Sequence, residues 1–113
     1  MTNDSIFTKI IRGEIPATKV FENERILAIN DINPIAPVHI LIIPKKQISS
    51  LQTLSPDDFP LIGEIVSVAQ ILAERYGINN GYRLLTNNGT PAGQTIFHLH
   101  FHLIGGCILG PMA

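Results

Sequence analysis

From Phe97 to Ile104 the chain reads FHLHFHLI, in which apolar residues and histidines alternate. Successive side chains of an extended strand point to opposite faces. His98, His100 and His102 therefore share one face, and Leu99, Phe101 and Leu103 share the other, which is the expected core face. The fourth histidine, His39, opens another strand-like run, so every histidine of the protein stands at a predicted strand position. Histidine is an uncommon residue. Three at period two read as a working surface and not as an ordinary polar face.

The rest of the chain supplies a frame for that strand. A helix is predicted from Ser5 to Ile11, capped by Asp4 or Ser5 and ended by Gly13 and Pro16. Strand-like runs follow at Lys19 to Glu22, Arg25 to Asp31 and His39 to Ile43, punctuated by Asn23, Asn33-Pro34 and Pro44. A long helix starts near Ser55, with Pro56 at its first position and Asp57 and Asp58 in its first turn, or only at Pro60 after a separate turn; it runs to about Tyr76, with Gly77 as its stop. Its apolar stripe comprises Ile62, Ile65, Val66, Ala69, Leu72, Ala73 and Tyr76. Leu61 and Val68 widen the stripe, and Ile71 sits within the polar arc, so a second apolar contact is expected, most simply with another copy of the chain. Two further strands, Tyr82 to Thr86 and Thr95 to Ile104, flank a turn-rich loop at Asn87 to Gln94. Neighbouring strands with short connections and two separate helices make an α+β fold with an antiparallel sheet. At 113 residues the chain suits a single domain.

Composition narrows the partners. Net charge is -1 and no basic stripe is present, which argues against a nucleic-acid backbone. Lys45-Lys46 reads as solvated surface. Charged residues make up only 15%, which suits an oligomer. The single cysteine, Cys107, makes neither an intrachain disulfide nor a cysteine-rich zinc site. No signal peptide and no apolar run of membrane-spanning length is read, so the expected setting is the cytoplasm.

Two chemistries compete for the imidazole row. Three histidines and a water form a known catalytic zinc arrangement. Against it, the triad strand carries no nearby carboxylate, and residues in one row point in parallel. The other chemistry is phosphate handling. A neutral imidazole is a competent nucleophile towards phosphorus, and a protonated neighbour stabilises phosphate oxygens. On this reading His100, with a histidine on each side at i−2 and i+2, is the central group, and no metal cofactor is needed.

The run His98-x-His100-x-His102 with apolar neighbours resembles the motif of the histidine triad (HIT) superfamily. Ile6-Phe7-x-Lys9-Ile10-Ile11-Arg12, Glu14-Ile15-Pro16-Ala17, Asp31-Ile32, Pro37-x-His39, Ile43-Pro44-Lys45-Lys46, Gly93-Gln94 and Gly105-Gly106 resemble its Hint branch. The likeness spans about residues 5 to 106. It implies a sheet of about five strands with two helices, joined to a second copy into a continuous larger sheet. It implies hydrolysis of purine nucleoside 5′-phosphoramidates to a nucleoside monophosphate and an amine. In that scheme His100 attacks phosphorus, His102 and His39 orient it and contact phosphate, and His98 supports the row. Asn87, Gly93, Gln94 and Thr95 hold phosphate oxygens, and Asp31 accepts from the ribose hydroxyls, unless it serves only an Asx-type turn. Phe7, Ile10, Ile15, Ile29 and Ile32 line the base pocket. Thr95 replaces the serine usual in this branch but keeps a hydroxyl. The tail after Gly106 lacks the tryptophan often found there. A dinucleoside polyphosphate hydrolase and a nucleotide-binding regulatory module are the alternatives.

Overall fold

Five antiparallel strands form one sheet in the order β1-β2-β3-β5-β4 in a computed structural model, which describes residues 4–112. The strands are β1 (Lys19–Glu22), β2 (Ile26–Asn30), β3 (Val38–Pro44), β4 (Tyr82–Leu85) and β5 (Phe101–Gly105), with helices α1 (Ile6–Ile11) and α2 (Phe59–Arg75). The α+β class, the antiparallel sheet, the strand number and the two helices all agree with the sequence reading. No helix among the described residues is long and apolar enough to cross a membrane.

Both helices start where local chemistry directs. The Ser5 hydroxyl caps α1 by accepting the Thr8 N–H at 3.0 Å. Before α2, Pro56–Asp58 form a separate 3-10 turn, so Pro60 falls in the first turn of the regular helix, where its missing N–H costs little. Gly77, at φ +69°, lies just past the helix end.

The sheet separates two apolar clusters. On one face Ile65, Val68, Ala69, Leu72 and Ala73 of α2 meet Ile26, Ala28, Ile40, Ile42 and Leu103. Each large side chain buried there contributes about 1.5–3 kcal/mol. On the other face Phe7 and Ile10 of α1 meet Leu27, Ile29, Leu41 and Ile43. The period of two along β2 and β3 thus feeds both layers. The observed stripe of α2 corrects the predicted one. Val68 is core, whereas Val66 and Tyr76 are exposed beside Ile71 and Phe59. Val68 therefore belongs to the protomer core and is not part of an outward contact.

The predicted strand from Thr95 is also corrected. Regular pairing begins only at Phe101, opposite Ile42 of β3, and β4 reaches no further than Leu85 opposite His102. Upstream of that point β3 offers Pro44, which has no N–H to donate. The Leu99 N–H instead donates to the Ile48 carbonyl at 2.6 Å, and the Thr86 hydroxyl donates to the His100 carbonyl at 2.7 Å. Residues 95–100 are thus held by loop and side-chain contacts. Lys45 and Lys46, expected as solvated surface, are paired with Glu22 at 2.8 Å and Asp58 at 2.6 Å.

Candidate active site

On the α1 face a cleft of about 380 Å³ opens beside the end of β2. Phe7, Ile10, Ile15, Ile29 and Ile32 line it, as the sequence reading expects, and Ile32 stands at its rim, 91% exposed. Ile6, Leu41 and Ile96 line it too and were missed. The period of two held a signal for the latter pair, since each lies two residues from a histidine. Asp31, Thr95, His100 and His102 make the cleft polar at one end.

His98 does not line this cleft. Its ring is fully buried, and Nε2 lies 2.8 Å from the Pro44 carbonyl, which can only accept. Nε2 therefore carries the proton, and Nδ1 accepts from the Ser5 hydroxyl at 2.6 Å. His98 ties the cap of α1 to the end of β3. Burial holds its pKa below the ordinary imidazole value.

The carbonyl of His98 acts on His100. It lies 2.8 Å from His100 Nδ1, so that nitrogen donates its hydrogen and Nε2 is left with the lone pair. The Phe7 ring packs edge-on against His100 at 4.9 Å and fixes its plane. Burial lowers the His100 pKa, opposed by its bond to the His98 carbonyl and by the charge of Asp31. No buried side-chain nitrogen or oxygen among the described residues lacks a partner. The unpartnered Nε2 of His100 is therefore open to the cleft.

His102 and His39 form the third contact. Their rings are 5.2 Å apart, and His39 Nε2 lies 2.9 Å from His102 Nδ1. His100 and His102 are also 5.2 Å apart. The ring with an imidazole on both sides is thus His102, between His39 and His100. The i−2 and i+2 spacing predicts that place for His100; it passes to His102 because His98 turns inward. Burial pushes the His102 pKa down to about 4, helped by the charges that His100 and His39 can carry.

Asp31 completes this corner. One carboxylate oxygen accepts the Asn33 N–H at 2.7 Å, which is the Asx turn weighed from sequence. The other lies 3.4 Å from His39 Nε2. The carboxylate missing from the triad strand thus arrives from the loop after β2. Asp31, His39 and His102 each present a ligand atom within 4.8 Å of the others. The donor set still fits a metal poorly. His39 Nδ1 accepts the Ile35 N–H at 3.2 Å, whereas a ligating histidine donates its second ring N–H to an acceptor.

The HIT domain matches residues 12–107. The chain belongs to the HIT domain family. An uncharacterized HIT-like protein of Chlamydia trachomatis is 50% identical over 109 residues, covering 96% of this chain and 98% of that protein. An uncharacterized HIT-like protein of Synechocystis is 49% identical over 106 residues, covering 94% of this chain and 93% of its own length. Among solved structures, a HIT family hydrolase from Clostridium thermocellum superposes with a TM-score of 0.93 at 46% identity, covering 99% and 98% of the two chains. A histidine triad nucleotide-binding protein from Candida albicans gives 0.80 at 34% identity, over 97% and 86%.

Within the HIT domain the loop residues have distinct placements. Thr95 lines the cleft. The Gln94 side chain is buried: Oε1 accepts from the Gly89 N–H at 2.8 Å, and Nε2 donates to the Ser49 and Ile96 carbonyls at 2.9 and 3.0 Å. Both amide hydrogens are engaged, so Gln94 braces the loop and has none free for the phosphate contact implied by resemblance. Gly93 adopts φ +101°, a conformation open to glycine, and faces the Asn87 amide. Asn87 and Gly93 both stand outside the lining of the cleft.

Proposed function

We propose that this HIT-domain chain hydrolyses purine nucleoside 5′-phosphoramidates at the P–N bond through a nucleotidyl-His100 intermediate. The observation that carries the reading is the His98 carbonyl on His100 Nδ1. It leaves a lone pair on Nε2 at the polar end of an apolar cleft. The likeness to HIT family hydrolases and to a nucleotide-binding relative supports it. A purine fits between Phe7, Ile10, Ile15 and Ile29. The ribose hydroxyls reach the outer Asp31 oxygen, and the phosphate lies against His100, His102 and Thr95. Nε2 of His100 forms a bond to phosphorus as the P–N bond breaks, and the amine departs with a proton taken from water in the open cleft, which the hydrolytic step returns. Water then displaces His100 and releases the nucleoside monophosphate. Holding the reacting groups in line supplies much of the rate. Two in-line displacements leave the configuration at phosphorus unchanged. Enzyme mixed briefly with an adenosine phosphoramidate and quenched in base is expected to gain one adenylyl mass on the peptide containing residues 98–102. A substrate-turning enzyme with no adduct, or with one elsewhere, overturns the reading.

The working assembly is proposed to be a homodimer. β4 is an edge strand of the sheet, and Val66, Ile71, Tyr76 and Tyr82 leave apolar surface on α2 and beside that edge. Pairing across β4 gives a continuous larger sheet and covers an unpaired edge. Light scattering at micromolar concentration is expected to report two chains; a fully active monomer refutes the assembly. The exposed lone thiol of Cys107 suits a cytoplasmic setting.

A further inference from the structure

His100 and His102 stand side by side, yet the backbone presents them with opposite chemistry. His100 Nδ1 faces a carbonyl, an obligate acceptor. His39 Nδ1 faces the Ile35 N–H, an obligate donor. A neutral His39 must then carry its hydrogen on Nε2, because a hydrogen on Nδ1 would meet the Ile35 hydrogen head-on. His39 Nε2–H points at His102 Nδ1, 2.9 Å away, with the Asp31 oxygen as its more distant acceptor. His102 Nδ1 must accept, so the hydrogen of a neutral His102 sits on Nε2. That atom has no protein partner among the described residues and opens to the cleft.

We propose that the Ile35 amide, acting through His39 as a positioning residue, locks His102 as its Nε2–H tautomer and makes it a fixed hydrogen-bond donor to the cleft. A backbone acceptor thus makes a nucleophile of His100, and a backbone donor relayed through His39 makes a donor of its neighbour. The arrangement also closes a proton relay. His39 cannot pass its Nε2 hydrogen on, since Nδ1 is occupied by the Ile35 amide and no neutral ring would remain. His102 therefore stabilises a phosphoryl oxygen and is not recharged through His39. That catalytic consequence rests on the phosphoramidate reading, whereas the tautomer itself does not.

The test uses substrate-free, full-length protein with 15N-labelled histidine. Long-range proton–nitrogen correlation spectra at neutral pH report which ring nitrogen carries the hydrogen. His39 and His102 are expected as Nε2–H, and His100 as Nδ1–H. Ile35→Ala keeps the amide and is expected to preserve the His102 tautomer, whereas Ile35→Pro removes the amide and mixes the two forms. Proline can disturb the loop, so the deciding pair is at His39. Gln offers an N–H at the place of Nε2, and Leu offers none. His39→Leu is expected to release the His102 tautomer and slow P–N cleavage roughly ten- to hundredfold, by analogy with the range for groups that orient metal-ligating histidines. His39→Gln restores the Nε2–H form and most of the rate. A wild-type His102 protonated on Nδ1 overturns the proposal. So do equal rate losses in the Gln and Leu variants with an unchanged His102 tautomer. If the spectra hold but no phosphoramidate is cleaved, the functional reading fails and the lock stands.

Discussion

Replacing His100 with asparagine is expected to lower the turnover number by several orders of magnitude, on the order of 10⁴, and to leave nucleotide affinity nearly unchanged. His100 is half-buried, and the side chain it loses makes one hydrogen bond, to the His98 carbonyl. The asparagine amide nitrogen reaches the place of Nδ1 and keeps that bond, so the fold is expected to survive. What disappears is the Nε2 lone pair, whose bond to phosphorus develops only as the reaction proceeds. An interaction made mainly in the transition state appears in turnover and not in binding. Single-turnover rates with an adenosine phosphoramidate, set beside the dissociation constant for adenosine monophosphate, separate the two quantities. A variant that cleaves at close to the wild-type rate places the nucleophile elsewhere and ends the mechanism proposed here.

His98, two residues away, is expected to respond in the opposite way. His98→Leu should cost about 3 kcal/mol of stability, or roughly 10 °C in Tm, because it strips the buried Pro44 carbonyl and the part-buried Ser5 hydroxyl of a partner. The Pro44 carbonyl loses its 2.8 Å donor, and the Ser5 hydroxyl loses the ring nitrogen it faces. The same ring gives wild-type stability a pH dependence. Burial lowers the folded-state pKa of His98, His100 and His102 below the ordinary 6.5. The unfolded chain then binds more protons than the fold between those lowered values and about 6.5, and stability rises with pH through that window. The contribution is full above about 6.5 and is lost on acidification. Calorimetry from pH 5 to 8, a range chosen about the ordinary histidine value, should show wild-type Tm falling on the acid side, with a shallower fall in His98→Leu. A variant as stable as wild type, with an unchanged acid slope, shows that His98 is not the brace described. Read together, the two variants separate a strut from a nucleophile within one motif.

Local pattern made much of this protein legible from its sequence. Period-two alternation is a property of a few consecutive residues, so β1, β2 and β3 were located to within about a residue or two at each end. Gly77, Pro60 and Ser5 act on their own backbone or on their neighbours, so the helix ends were legible as well, with Pro60 and not Pro56 in the first turn of α2. The five apolar cleft residues and Thr95 followed from resemblance, and His100 from the histidine row itself; all of them line one cavity. What the sequence could not determine were choices made by distant partners. β5 starts at Phe101 because Pro44 and the end of β4 leave the earlier residues without a ladder. His98 turns inward because its partners lie 54 and 93 residues away, at Pro44 and Ser5. Asp31, His39 and His102 share a corner only after β2, β3 and β5 have paired. A residue type fixes which hydrogens and lone pairs an imidazole can hold, but the tautomer is set by what stands opposite each nitrogen, and for His100 and His102 that is decided only by the folded backbone.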